Sequence, residues 1–355
     1  MLQSIEVNYH EGDYGALILD GLAPIIADLN RTRSANGAFL YPYWRGGPHI
    51  NLVIDAKRSD FTGHLYPRAA ATIGEWIERN PSLTRIDPIE YRRLSRHMAT
   101  TERDPRRPVA LRANNSVRSS RYYRPAPIGL AKLGHIRDRF LAETIDTQLA
   151  VRRLSQDGLR QRLEAILPIL LSVAAVRPGP DFAFWPLSFV AHGKVFLVNN
   201  PRHAEQFEQV YKRFRETAAS GVAEATAEAA LAGPASPWHA ALRTMDARIA
   251  AIVAEDFDKL DRTIWAGAEE ANVLNGNPLG MDPDNFVAFR NQAHLSWRMM
   301  QNFVYLTMPV MGVSAVERGC LCYVIGRVIE DCHPDLMKAA QTRMMAMLAH
   351  GKRRA

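Results

Sequence analysis

Two pairs of polar side chains in this sequence have helical spacing and the chemistry of proton transfer. Ser188 and His192 are four residues apart in LSFVAHGKVFL, so a helix places both on one face. A histidine with an unperturbed pKa near 6.5 can protonate and deprotonate an amide or a hydroxyl at neutral pH. Asn302 and Tyr305 are three residues apart in a later helical pattern, and Tyr305 has a proton to donate to a developing oxyanion. We therefore predict His192, Ser188 and Tyr305 as catalytic residues.

Each of these assignments has a purely structural alternative. His192 could pack between helices, and buried tyrosines such as Tyr305 are common in protein cores. If the residues KVFLV that follow His192 form a strand, the spacing from Ser188 to His192 no longer places the two side chains together.

A tight turn within YPYWRGGPHINLVI is the second concentration of reactive residue types. Two glycines and a proline make the turn between two strand-like runs. They do not explain why Trp44, Arg45 and His49 lie beside it, and we predict that these three residues bind substrate. The alternative is that His49 bonds to backbone carbonyls and Arg45 is solvated.

Four more polar residues complete the predicted substrate-binding set. They are Asn51, Asn114, Arg290 and Asn302. Asn114 and Arg290 are the weaker candidates, and their proposed role is to hold peptide amides. We predict no metal and no cofactor. A single residue separates Cys320 from Cys322 on a helix, and this spacing suits neither a zinc site nor a redox pair.

The elements that must position these residues indicate an α+β fold. The first 55 residues have a β-α-β-β pattern, and helical periodicity dominates from residue 128 onward. We predict a β-rich region over residues 1–127 and a mainly helical region over 128–355, forming one integrated domain. Ser314 and Glu317 form a capping box that marks a helix start near residue 315.

Composition is typical of a soluble globular protein, with 47% hydrophobic and 23% charged residues among 355. The apolar run AILPILLSVAAV is shorter than the roughly 20 residues that span a bilayer. No targeting segment is visible at the first residue, so we predict a cytoplasmic protein without a membrane partner.

Positive charge is concentrated between Tyr91 and Arg139. This basic block contains thirteen Lys and Arg against three Asp and Glu, within a chain of net charge +7. Such a block attracts nucleic acid or an acidic peptide, or it is simply a solvated face. Because no nucleic-acid-binding motif accompanies the block, we consider nucleic acid unlikely as a partner.

Several stretches together resemble the C-terminal domain family of lanthipeptide dehydratases, which includes the pyridine synthases of thiopeptide biosynthesis. The turn YWRGGPH resembles the aromatic-Trp-Arg-x-Gly-Pro-His hairpin of that family, and IEVNYHEGDYGALILDGLAPIIADL resembles its opening strand and helix. LRANNSVRSSRYYRPAP, LSFVAHGKVFL and MMQNFVYLTMPVMGVSAVERGCLCYVI are similar to later segments in the same order.

This resemblance implies a substrate made on the ribosome and carrying a leader peptide. Elimination members of the family remove glutamate from glutamylated Ser or Thr. Pyridine synthases join two dehydroalanines in a formal [4+2] cycloaddition, lose water and expel the leader, leaving a six-membered nitrogen ring. Neither reaction needs a metal or an organic cofactor.

Departures from the family pattern favour cyclisation. Elimination members carry arginines around the hairpin histidine, and Pro42, Asn51 and Val53 occupy those places here. A glutamate leaving group needs cationic partners, whereas a cycloaddition needs mainly positioning and modest proton transfer.

We therefore predict a pyridine-synthase-like lyase acting on a precursor peptide with an acidic leader. The alternatives are a divergent glutamate-eliminating domain of a split dehydratase and a non-catalytic leader-binding protein. An RNA-binding protein is a remote fourth. A homodimer is among the states that the sequence leaves open.

Overall fold

The computed structural model describes residues 1–101, 106, 109–124, 130–154, 158–176, 184–227, 236–275 and 291–351. The chain divides into two compact units: unit 1 is Met1–Gln156 with Pro309–Gly312, and unit 2 is Asp157–Met308 with Val313–Ala355. The predicted α+β class is confirmed, because a four-stranded antiparallel sheet near the N-terminus is followed mainly by helices. The region boundary that we placed at residue 127 stays a prediction.

In its described residues, unit 1 contains the sheet and five helices of at least ten residues. The strands are β1 Leu2–Asn8, β2 Gly37–Tyr43, β3 His49–Asp55 and β4 Ser116–Ser120. The helices are α1 Ala23–Thr32, α2 Tyr66–Arg79, α3 Pro88–Thr101, α4 Ala131–Glu143 and α5 Ile145–Leu154. A π-helical turn, Leu17–Leu22, precedes α1, and the short turns Arg58–Asp60 and Phe61–Leu65 precede α2.

The sheet has the strand order β2-β3-β1-β4, and every neighbouring pair is antiparallel. Alternate residues point to opposite faces. One face contributes apolar side chains to the core of unit 1, among them Ile5, Leu40 and Leu52. The other face carries buried polar side chains, and the register places Glu6 of β1 opposite Asn51 of β3.

In the described residues of unit 2, helices are joined by short turns and irregular segments. Its helices are α6 Leu159–Val176, α7 Phe184–Asn199, α8 Ala204–Thr226, α9 Pro237–Asn275, α10 Gln292–Tyr305, α11 Ala315–Cys332 and α12 Pro334–Gly351. A 3₁₀ turn, Pro201–His203, precedes α8, and α9 bends at Asp256. The predicted capping box is confirmed: the side chains of Ser314 and Glu317 each bond the other's backbone N–H at the start of α11.

Two glycines allow the backbones of α7 and α11 to touch. A Cβ atom on Gly193 would lie 2.7 Å from the Cα of Tyr323, and one on Gly326 would lie 3.0 Å from the Cα of Val190. Real Cβ atoms do not approach backbone at 2.7 Å, so this crossing needs glycine. Gly193 immediately follows His192, and the close crossing therefore sets the position of that histidine.

Among the helices of the described ranges, none combines the length and apolar character that crossing a membrane requires.

Candidate functional site

Four side chains of unit 2 form a continuous chain of hydrogen bonds, which we call the polar chain: Ser188, Gln301, Tyr305 and His192. The Oγ of Ser188 donates to Oε1 of Gln301 at 2.6 Å. Nε2 of Gln301 donates to the Tyr305 hydroxyl at 2.8 Å, and that hydroxyl is 3.0 Å from Nδ1 of His192. The structure thus brings together the three residues that we predicted to be catalytic.

Helical spacing explains how two segments supply all four side chains. Ser188 and His192 are one turn apart on α7, and Gln301 and Tyr305 are one turn apart on α10. Residues 194–198 lie inside α7 rather than in a strand, so the condition on which the spacing argument depended is met. Each helix therefore presents two members of the polar chain on one face.

The hydrogen bonds of Tyr305 allow a tautomer of His192 in which Tyr305 donates to Nδ1 and the ring proton is on Nε2. Because the Gln301 amide donates to the Tyr305 oxygen, the Tyr305 proton is free to be donated onward. Its acceptors are Nδ1 of His192 at 3.0 Å and the more distant Sγ of Cys322 at 3.4 Å. A neutral imidazole that accepts at Nδ1 carries its proton on Nε2. His192 therefore offers an N–H donor.

The surroundings of His192 keep its ring neutral. Desolvation, followed by the positive charges of Arg318 and Arg298, lowers the pKa of His192 to about 4. The residue nevertheless retains exposed surface, so dense protein surrounds a ring that solvent still reaches. Our expectation of a pKa near 6.5 considered the isolated side chain and neither of these effects.

Tyr305 and Cys322 are both held in their protonated forms. Burial raises the pKa of Tyr305 well above its usual range, and it raises the pKa of Cys322 to about 11. Tyr305 is 8% exposed and Cys322 is 1% exposed. At neutral pH the polar chain therefore contains hydroxyl, amide, thiol and neutral imidazole groups.

Gln301 is the member that the sequence analysis missed. We had paired Tyr305 with Asn302, but Asn302 is exposed whereas Gln301 is 2% exposed and bonds to two members of the polar chain. The signal was present in the sequence, because residues 301 and 305 are four apart and share a helix face as well as residues 302 and 305 do.

The predicted hairpin of unit 1 is confirmed as a structure. Gly46 and Gly47 have φ angles of 94° and 106°, which favour glycine. The N–H of Gly46 donates to the Tyr91 hydroxyl at 2.6 Å, and its carbonyl accepts from the N–H of Arg112 at 2.8 Å. These bonds tie the turn to two segments of the basic block.

His49 is part of this turn. Its Nδ1 lies 2.8 Å from the Gly47 carbonyl oxygen, and because a carbonyl only accepts, Nδ1 carries the proton. His49 is buried, and desolvation lowers its pKa although Glu6 opposes the shift. This is the backbone bond that we gave as the alternative to substrate binding. Trp44 and Arg45 beside it are half-buried.

The amides of Asn51 and Asn114 are used within unit 1. Asn51 accepts from Ser4 at 2.9 Å and donates to the Tyr41 carbonyl at 3.3 Å. Asn114 accepts from the N–H of His10 and donates to the carbonyls of residues 82 and 84. Both side chains fix backbone segments. Arg290, the remaining candidate, lies outside the described residues.

Positive charge lies on the polar face of the sheet next to Asn51. Glu6 forms ion pairs with Arg112 and with Arg118, the latter at 3.5 Å.

The three cysteines are free, and two of them, Cys320 and Cys322, are buried. Within the described ranges, no group of three His, Cys, Asp or Glu side chains is arranged to hold a metal ion.

Comparison with known proteins places the chain in a family. The family described as "Lantibiotic biosynthesis dehydratase C-term" matches residues 3–329, which is most of the chain. The protein belongs to this family. Our prediction of the family from sequence motifs is confirmed. No curated protein matches the chain.

Solved structures share the fold at low sequence identity. The pyridine synthase TbtD from thiomuracin biosynthesis is 20% identical with a TM-score of 0.70, and the match covers 94% of this chain and 99% of TbtD. TsrL is 15% identical with a TM-score of 0.58, covering 96% and 98%. The tRNA-dependent lantibiotic dehydratase MibB from Microbispora sp. 107891 is 12% identical with a TM-score of 0.50, covering 94% of this chain and 28% of MibB.

Proposed function

We propose that this family member is a thiopeptide-type biosynthetic enzyme that joins two dehydroalanines of a leader-bearing precursor peptide in a formal [4+2] cycloaddition. Loss of water and of the leader then gives a six-membered nitrogen ring. The observation that carries the proposal is the polar chain, which ends at a neutral His192 with an N–H to donate. The likeness to TbtD over nearly the whole chain supports it.

The chemistry of ring formation needs the groups that the polar chain offers. A dehydroalanine becomes a four-atom component when its neighbouring amide moves a proton from nitrogen to oxygen, which creates a second double bond. Donors aimed at that oxygen favour the shift and later assist departure of the hydroxyl as water. At neutral pH Tyr305 carries its hydroxyl proton and the neutral His192 ring carries one N–H, and Ser188 begins the chain that orients them.

Substrate positioning in this proposal involves the hairpin and its neighbours. Trp44 and Arg45 are half-buried, so part of each side chain lies at the surface of the hairpin. His49 has its Nε2 left as an acceptor when Nδ1 bonds to the turn. In unit 2, Asn302 is exposed on α10 and is a separate candidate for contact with a peptide amide. Asn51 and Asn114 would act by holding the backbone that shapes the hairpin surface.

The precursor's leader is proposed to be acidic and to bind the basic block. Strand β4 is at one edge of the sheet and lies within that block, so its outer backbone groups can pair with an extended segment. The excess of ten positive charges over residues 91–139 would steer an acidic peptide to it.

Glutamate elimination is the second candidate from the same family. The hairpin positions that would supply arginines hold Pro42, Asn51 and Val53, and the nearby Arg112 and Arg118 are engaged by Glu6. This arrangement supports cyclisation over elimination. A non-catalytic leader-binding protein would keep the basic edge but would not need the polar chain.

The test is incubation of the full chain with a leader-bearing peptide that contains two dehydroalanines, followed by mass spectrometry. We expect a free leader fragment and a cyclised core that together account for the substrate minus one water. His192→Ala should slow turnover by about 10²- to 10⁴-fold, the usual contribution of one proton-transfer group, while leader binding persists.

His64→Ala is the matched control, because His64 is an exposed histidine of the short turn Phe61–Leu65, outside both the polar chain and the basic block. It should turn over like the wild type. Release of glutamate from a glutamylated precursor, without cyclisation of the bis-dehydroalanine peptide, would replace the proposal by the second candidate. Leader binding with neither reaction would support the non-catalytic alternative.

A further inference from the structure

Two arginines lie on the helix faces that carry the end of the polar chain. Arg298 is seven residues before Tyr305 on α10, which is two helical turns. Arg318 is four residues before Cys322 on α11, which is one turn. Different helices therefore carry two guanidinium groups whose charges both act on the His192 ring.

Arg318 is in direct contact with the polar chain. Its guanidinium carbon lies 5.1 Å from the centre of the Tyr305 ring, and that ring is 5.5 Å from the His192 ring. A guanidinium over an aromatic face is a favourable arrangement that also fixes the direction of its N–H donors. The Tyr305 side chain thus contacts both the positively charged Arg318 and the His192 ring.

Neither arginine has an anionic partner in the described part of the chain. Arg162 pairs with Glu317 at 2.8 Å, and Arg327 pairs with Glu208 and Asp331, so nearby arginines do have carboxylates. For Arg298 and Arg318, no carboxylate of the described residues lies within ion-pair distance. Two positive charges that share surroundings without an anion are unfavourable, and an anion bound between them would relieve that repulsion.

The lowered pKa values of neighbouring groups agree with two positive charges that no carboxylate compensates. After desolvation, Arg318 and Arg298 are the causes that lower the pKa of His192, and desolvation lowers the pKa of Arg298 itself. Both His192 and Arg298 are nevertheless exposed residues. Solvent, and therefore a solute, can reach this positively charged surface.

We propose that Arg298 and Arg318 form an anion site beside Tyr305 and His192 that binds a carboxylate of the peptide substrate. The planar fork of guanidinium donors matches a carboxylate in two-point contact. The inference rests on the proposed function only in taking the substrate to be a peptide, whose anionic groups are carboxylates. It does not depend on which bonds the enzyme forms or breaks.

The experiment measures the pKa of His192 by NMR in the full chain with labelled histidine, using acetate as the probe and chloride at equal ionic strength as its reference. Among the described residues, the titratable groups that contact or act on His192 are Tyr305, Arg298 and Arg318, and Cys322 contacts Tyr305. Bound acetate should raise the pKa of His192 by about 1, because an opposite charge nearby stabilises the imidazolium. A His192→Gln spectrum assigns the signal.

Variants test whether the two arginines are the cause. Arg298→Gln and Arg318→Gln should each bind acetate about tenfold more weakly and should raise the pKa of His192 without acetate, since one positive charge is gone. Arg213→Gln, at an exposed arginine of α8, should behave like the wild type. Arg318→Lys keeps the charge if loss of the Tyr305 contact harms folding, and it should retain a response to acetate.

The proposal is overturned if acetate moves the pKa of wild-type His192 no more than chloride does, or if both Gln variants respond like the wild type. Two peptides then identify the source of the carboxylate: one with free acidic side chains, and one with a serine that carries a glutamyl ester. The peptide that competes more strongly with acetate identifies the source of the carboxylate. If neither peptide competes with acetate, the assignment of the site to a peptide carboxylate is overturned. Because these readouts need no turnover, failure of cyclisation and failure of the anion site are separate results.

Discussion

Replacing Gly193 with alanine tests whether the close crossing of α7 and α11 positions the candidate site. The added Cβ would lie 2.7 Å from the Cα and 2.9 Å from the nitrogen of Tyr323, both backbone atoms that cannot rotate away. Relief to an ordinary contact distance of about 3.6 Å requires the helices to separate by about 1 Å. Overpacking of this kind costs about 1–3 kcal/mol, against about 1 kcal/mol gained from helix propensity.

The same displacement acts on the neighbouring residue. His192 lies on α7 and Tyr305 on α10, so a shift of α7 away from α11 alters the 3.0 Å distance from Nδ1 of His192 to the Tyr305 hydroxyl, and a lengthening by 1 Å breaks that bond. We expect Gly193→Ala to unfold at lower urea concentration than the wild type and to lose most of any activity that requires His192. Shape changes near the reacting groups can cost about a hundredfold in rate.

Gly74→Ala is the matched control for this substitution. Gly74 lies inside α2, and a Cβ atom there would have no heavy atom within 4 Å. The control should be stabilised by up to about 1 kcal/mol, since only helix propensity changes. The reasoning is refuted if Gly193→Ala matches Gly74→Ala in stability and retains full activity.

Four further outcomes are expected. Gln301→Leu should lower the free energy of unfolding by about 1–3 kcal/mol in urea titrations, because it removes the partner of the Ser188 hydroxyl and one of the hydrogen bonds of Tyr305; an unchanged midpoint would contradict this. Activity should persist as pH falls through 6.5 and decline only near 4, where His192 gains a proton; a loss centred at 6.5 would contradict the lowered pKa. Leader affinity should fall as ionic strength rises, and salt-independent binding measured by calorimetry would exclude electrostatic steering. Arg45→Ala should fold normally and weaken substrate binding, and an unchanged KM would remove it from the site.

The pH dependence also has a consequence for stability. The pKa of His192 in the folded protein is below the usual histidine value, so the unfolded chain takes up the proton first as pH falls. The contribution of the neutral ring to stability is therefore present above about pH 6.5 and is lost as pH falls toward 4. The sign is the same for His49, whose pKa is also lowered by burial.

Local patterns predicted the parts of the fold that depend on neighbours in sequence. The strands at Leu2–Asn8, Gly37–Tyr43 and His49–Asp55 follow from alternation and a glycine turn, and the start of α11 follows from a capping box. The helical spacing of Ser188 and His192 belongs to the same class. These features involve residues only a few positions apart, which is the range in which sequence spacing determines geometry.

Features that depend on distant residues could not be obtained in this way. Nothing local indicates that Gly193 must accommodate Tyr323, which is more than a hundred residues later. The lowered pKa of His192 likewise arises from desolvation by the surrounding helices, followed by the charges of Arg318 on α11 and Arg298 on α10. His49 shows the converse, because its bond to Gly47 was among the local alternatives and needed the structure only to select it.

The charge and proton state of the polar chain bear on the choice between the two candidate reactions. Eliminating glutamate from a glutamylated serine removes a proton from carbon, which requires a base. In the tautomer in which Nδ1 of His192 accepts from Tyr305, Nε2 carries the proton, and the charges that act on the ring are positive. Such a ring is a weak base and a good donor. Donors beside positive charge stabilise an oxygen that gains electron density, which is the state an amide enters when it takes part in ring formation. The arrangement therefore supports cyclisation independently of the missing hairpin arginines.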